Sequence, residues 1–156
     1  MDAMELPSNR NCSIARSLSV LGQKWNLLIM REAHRGRTRY ADFRRIGIPS
    51  DILATRLDAL VEDGLLQRQP YQEPGQRVRD EYVLTEAGRD LLPVLAALTE
   101  WGDKHRPTGR GPTAIYVDEK SGDEVRLDFV PAGMPPAADA VRMAWGPGYD
   151  GPEPTS

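Results

Sequence analysis

Six arginines stand between residues 31 and 45, REAHRGRTRYADFRR, against only Glu32 and Asp42. A guanidinium presents paired N–H donors that match a phosphate, so a local charge of +4 points to recognition of a polyanion rather than to bond making. The plainer alternative is a solvated helix face. Two more arginines, Arg77 and Arg79, lie in the polar stretch QEPGQRVRD, and between the two basic segments runs SDILATRLDALVEDGLL. Reactive groups are few. His34 and His105 are the only histidines, each beside Arg or Lys, and no Ser or Cys sits in a recognisable nucleophile motif. The glycines are scattered at turns rather than gathered in a phosphate loop, so enzyme chemistry is not expected. Cys12 is the single cysteine, which excludes an intramolecular disulfide and a Cys-rich zinc site and leaves a reactive thiol or a bond between two chains. No metal or cofactor is expected.

The net charge of −3 opposes a nucleic-acid partner only until it is divided along the chain. Residues 1–106 hold 16 Lys+Arg against 15 Asp+Glu, whereas residues 107–156 hold 4 against 8. The acidity therefore belongs to the tail, and the basic segment lies outside it. At 156 residues and 40% hydrophobic, the chain suits one ordinary domain with a small appendage. No apolar run is long enough to cross a bilayer, and MDAMELPSNRN lacks the features of a signal peptide, so a cytoplasmic location and no membrane partner are expected.

The elements that must position these residues follow from periodicity. Ile14, Leu18 and Leu21 share one side of a short helix over residues 13–21, with Asn11 or Ser13 as its cap and Gly22 as its end. Trp25, Leu27, Leu28, Ile29 and Met30 make residues 24–34 a core helix. Gly36 stops it, and Thr38 is expected to cap a two-turn helix over residues 40–46 that buries Tyr40 or Ala41, Phe43 and Ile46 with its arginines outward. Gly47-Ile48-Pro49 breaks the chain again. Ser50 is then the expected cap of a helix that buries Leu53, Leu57, Leu60 and Val61 and ends at Gly64. LLQRQPY and EYVLT read as two strands, and Thr85 caps one long helix through residue 105 with a stripe of Leu91, Leu95, Leu98 and Trp101. In the tail, TAIYVD and EVRLDFV read as strands joined by a KSGD turn, and DAVRMAW as a third.

This order is that of a winged helix-turn-helix: a mainly α fold with a small β-hairpin wing, followed by a short β-rich C-terminal extension. The expected domains are an N-terminal arm (1–10), the DNA-binding and dimerisation domain (11–106), the β extension (107–145) and a disordered tail (146–156). The helix over residues 50–63 can lie in a major groove with its first residues toward base edges. Its face of Ser50, Asp51, Ala54, Thr55 and Arg56 is small and polar, while leucines anchor its other side. The expected DNA-contacting residues are Arg37, Arg39 and Arg44, then Ser50, Asp51, Thr55 and Arg56, then Gln76, Arg77 and Arg79 of the wing. The rival reading is a protein-interaction module that uses the same face without DNA.

The run from NCSIA through GQKW, RYADFRR and LATRLDALVEDGLL to EYVLTEAGRDL and EWG resembles the HxlR-type transcriptional regulators over about residues 11–102. The resemblance implies a bacterial homodimer joined through its first and last helices, binding a palindromic or near-palindromic promoter site, with repression as the expected output. A wide apolar stripe on residues 91–101 is independently what a dimer helix needs. Relatives often carry a lysine where this chain has Asp51, and the carboxylate is expected to cap the helix or accept from a cytosine amino group. The proline that commonly follows the family cysteine is replaced by Ser13. Some members use that cysteine as a redox or electrophile sensor, and a helix N-terminus favours a thiolate at Cys12; the alternative is simple packing. A small-molecule effector is the third reading, in a dimer-seam pocket lined by Trp25, Leu28, Leu95, Leu98 and Trp101, which are otherwise plain core. The tail is similar to a zinc-ribbon-like extension of some relatives with its cysteines absent.

Overall fold

The computed structural model describes residues 5–151, and compactness divides the chain between Arg89 and Asp90 into two units. The first unit runs α1 (Pro7–Arg10), α2 (Ser13–Leu21), α3 (Lys24–His34), α4 (Tyr40–Arg44), α5 (Ser50–Glu62), β1 (Leu66–Tyr71), β2 (Arg79–Leu84) and α6 (Glu86–Arg89). The N-terminal arm thus contains one helical turn. Ile29 and Met30 of α3, Phe43 of α4, and Leu53, Leu57 and Leu60 of α5 are withdrawn completely from solvent. Each such side chain contributes about 1.5–3 kcal/mol through burial, so these helices are fixed by their apolar faces. Val61, expected in the core, is only half-buried. Gly64 takes φ 78°, and the amide of Leu65 donates to the carbonyl of Leu60 at 2.9 Å, the left-handed stop that the sequence calls for.

Several helix starts differ from expectation. Cys12, rather than Asn11 or Ser13, is the N-cap of α2, and it makes no side-chain capping bond. Arg39 caps α4, because the hydroxyl of Thr38 donates instead to Glu81 Oε2 at 2.7 Å. Pro49 holds the N-cap of α5, so Ser50 is already its first helical residue. α4 is also shorter than expected, and Ala41 is exposed.

β1 and β2 pair antiparallel from Leu66 opposite Leu84 to Tyr71 opposite Arg79. Thr38 and Arg39 extend this hairpin: the Tyr82 amide donates to the Thr38 carbonyl at 2.7 Å, and Arg39 bridges to Glu81. Thr85 caps as expected, its Oγ accepting from the Gly88 amide at 3.1 Å. The helix it starts is not the long one expected, since α6 ends at Arg89 and a new helix begins at Leu92. Pro93 has no amide to donate and its ring would strike a preceding carbonyl, so it is tolerated only in a first turn.

The second unit holds that helix, α7 (Leu92–His105), with β3 (Ala114–Asp118), β4 (Glu124–Val125) and β5 (Val141–Trp145). The three strands form an antiparallel sheet in the order β4-β3-β5. Ala114, Tyr116, Val117, Met143, Leu95 and Ala96 are among its buried residues, and Thr99 shares a 2.8 Å hydrogen bond with the Tyr116 hydroxyl. Residues 146–151 are folded, not disordered. The amides of Gly146 and Gly148 donate to Thr113 and Pro112 at 3.0 and 2.9 Å, and Tyr149 stacks on Trp145 at 3.8 Å. A side chain at Gly146 would strike the Pro112 carbonyl, which is why glycine stands there. Residues 152–156 lie outside the described part. Among the described residues, no helix is long and apolar enough to cross a membrane.

Candidate nucleic-acid interface

α5 separates its two faces cleanly. Leu53, Leu57 and Leu60 are buried, while Ser50, Asp51, Ala54 and Thr55 are exposed and Arg56 is half-buried. The Thr55 hydroxyl donates to the Asp51 carbonyl at 3.0 Å within the helix. From α4, the Tyr40 hydroxyl donates to the Ser50 carbonyl at 3.0 Å, tying the two helices of the helix-turn-helix at the exposed end. The result is a slim polar surface held rigidly from below.

The basic segment is less available than its composition implies. Arg37 is not an outward residue: it is 7% exposed, and its guanidinium lies 2.9 Å from Glu32 Oε2. Arg31 and Arg35 converge on Glu32 Oε1 at 2.8 and 3.0 Å, and that carboxylate is itself buried. Glu32 is the residue that sequence reasoning missed. Its signal was positional, since Glu32 sits between Met30 and Ala33 on the apolar face of α3, where a carboxylate requires partners. Arg39 is also engaged: it pairs with Glu73 and lies 4.3 Å from the centre of the Tyr71 ring. The hydrogen bond to Glu73 raises its pKa above the usual guanidinium range. Arg44 and its neighbour Arg45 are exposed, with no ion-pair partner among the described residues.

Gln76 and Arg77 fall in the turn between β1 and β2, and Arg79 opens β2; all three are exposed. The Gln72 side chain donates to the Gln76 carbonyl at 2.9 Å and shapes that turn. Arg68 of β1 pairs with Asp58 of α5, so the hairpin is anchored to the same helix whose face it flanks.

The remaining candidates lie elsewhere. Cys12 is half-buried and free, its amide donating to the Asn9 carbonyl at 3.0 Å. Trp25 and Leu28 are half-buried on α3 of the first unit. Leu95, Leu98 and Trp101 belong to α7 of the second, where Leu95 is buried but Leu98 and Trp101 are 49% and 57% exposed. An open cleft of about 590 Å³ in that unit is lined by Trp101, Lys104, His105, Leu127 and Phe129 among others. His34 Nε2 meets the Gly88 carbonyl at 2.9 Å, and burial lowers the pKa of its ring. His105 rests against Trp101 at 5.1 Å between ring centres.

Comparison with known proteins supplies the family. The model of the HxlR-like helix-turn-helix matches residues 20–110. An uncharacterised HTH-type transcriptional regulator of Mycobacterium tuberculosis is 39% identical over 140 residues, covering 88% of this chain and 87% of that protein. Among solved structures, PA1607, described as a transcription factor, superposes with a TM-score of 0.67 at 37% identity, covering 79% of this chain and 85% of its own. The reduced form of the redox regulator HypR gives 0.54 at 34% identity, covering 60% and 92%.

Proposed function

The chain belongs to the HxlR-like helix-turn-helix family and is a transcriptional regulator of the helix-turn-helix type, and from that premise we propose a homodimeric repressor that binds a near-palindromic promoter site. α5 enters the major groove, with Ser50, Asp51, Thr55 and Arg56 toward base edges, and Arg44, Arg77 and Arg79 meet phosphates. One observation carries this reading: α5 presents an exposed polar face above leucines that are wholly buried. Such a helix is fixed in place and slim enough to enter a groove. Ile14 and Leu18 of α2 in one unit, and Val94, Leu98 and Trp101 of α7 in the other, remain exposed in the single chain, and each is an apolar surface that a second copy would cover.

The test is a fluorescence-anisotropy titration with the DNA flanking the protein's own gene and with a scrambled duplex at the same salt. A preference of about a thousandfold or more, together with a dimer mass in light scattering, is expected. Equal affinity for both duplexes would remove sequence recognition, and no binding to either would leave the protein-interaction reading.

A redox input is a second reading, favoured by the half-buried free thiol of Cys12 at the start of α2 and by the likeness to a protein named as a redox regulator. Two Cys12 thiols of a dimer would lose two protons and two electrons to diamide, forming one intersubunit disulfide. Diamide should then release wild-type protein from DNA and leave Cys12→Ser bound. Release of both forms would assign the effect to something other than this thiol.

A further inference from the structure

A groove of about 300 Å³ runs between the start of α3 and the exposed side of α5, lined by Gln23, Trp25, Asp51, Ile52, Thr55 and Arg56. Its place around α5 is informative. Arg56 and Asp58 are two positions apart and so face opposite flanks of a helix with about 3.6 residues per turn. Asp58 is held by Arg68 of β1, which puts the wing on one flank, while Arg56, Gln23 and Trp25 define the other. A helix about 10–12 Å across that lies in a major groove about 12 Å wide has a sugar-phosphate strand on each side. The wing meets one. From these facts we propose that the Gln23–Trp25 groove receives the other strand, with the Gln23 amide and the Trp25 indole N–H donating to backbone phosphate.

The side chains suit that role. Gln23 is exposed, and neither its amide nor the Trp25 indole N–H has a hydrogen-bond partner among the described residues. Lys24 places its ammonium 5.1 Å from the centre of the Trp25 ring, adding a cation at the start of the same helix. Asp51 is the one acid in the lining, and it stands on α5, so the phosphate strand passes on the side of Gln23 and Lys24 while Asp51 and Arg56 face the bases. Contacts of this kind fix the register of the helix in the groove and carry no sequence information themselves.

This inference rests on the DNA-binding reading above and is tested separately from it. In a Trp101→Phe, Trp145→Phe background the only indole left is Trp25, and acrylamide quenching is measured with and without promoter DNA. Protection of Trp25 on binding is expected. In the otherwise wild-type chain, Gln23→Ala and Trp25→Phe should each weaken binding to promoter and scrambled DNA alike by about 3- to 10-fold. Gln23→Ala should leave the denaturation midpoint unchanged, because the side chain is exposed. If DNA binds while Trp25 stays equally quenchable and Gln23→Ala binds as wild type, the groove is not a phosphate site. If no variant, wild type included, binds DNA, the failure is that of the proposed function.

Discussion

Glu32 gathers three arginines on one carboxylate. The residue is 1% exposed, and its carboxylate meets Arg31, Arg35 and Arg37, two of which have side chains only 6% and 7% exposed. Removing one partner from a buried ion cluster leaves charges without compensation, which is far more damaging than the cluster is stabilising. Glu32→Gln is therefore expected to lower stability by about 3–5 kcal/mol in urea denaturation. A loss below about 1 kcal/mol, the range of a surface pair, would mean that water reaches these guanidinium groups. His34 makes a second prediction. Burial lowers its pKa from the ordinary 6.5, so the unfolded chain takes up a proton first as pH falls. Stability from this group is complete above 6.5 and is lost as pH drops from there through the folded-state pKa. The midpoint of urea unfolding should fall over that window in the wild type and less steeply in His34→Gln.

At the level of elements, much was legible because single residues punctuate the chain. Gly64 needed a left-handed backbone, Thr85 offered a cap, and two β-rich runs flanked a Pro-Gly turn; each did what its chemistry requires. The misreadings have physical causes too. The stripe Leu91, Leu95, Leu98 and Trp101 keeps helical period across the break before Leu92, so periodicity hid what Pro93 announces. The tail reads as disordered by composition, yet its glycines allow a backbone approach that composition does not register. The arginine run overstated its phosphate contacts because a partner within the chain satisfies a guanidinium as well as DNA does. Among the described residues, the wing keeps Arg77 and Arg79 outside such pairs. Reversing both, Arg77→Glu with Arg79→Glu, should weaken binding to every DNA sequence and flatten its salt dependence. Unchanged affinity in the same titration would take the wing out of the interface.

For the whole molecule, the question is how many of its cations remain to displace counterions. Arg31, Arg35 and Arg37 converge on Glu32, and Arg39 is tied to Glu73. What is left for phosphates around the helix-turn-helix among the described residues, with Arg56 turned to the base edges, is Lys24, Arg44, Arg45, Arg77 and Arg79, while the acid excess of residues 107–156 adds nothing attractive. A dimer that uses both sets makes ten phosphate contacts, for which the plot of log affinity against log salt should fall with a slope of about −9. Had the four paired arginines also been free, eighteen contacts would give about −16. These two values are far enough apart for affinities measured between low and moderate salt to distinguish them. The steeper slope would mean that DNA draws the arginines away from Glu32 and Glu73, making those carboxylates competitors of the phosphates. In that case Glu73→Gln, which leaves the buried Glu32 cluster intact, should tighten binding, whereas at the shallower slope it should leave affinity nearly unchanged.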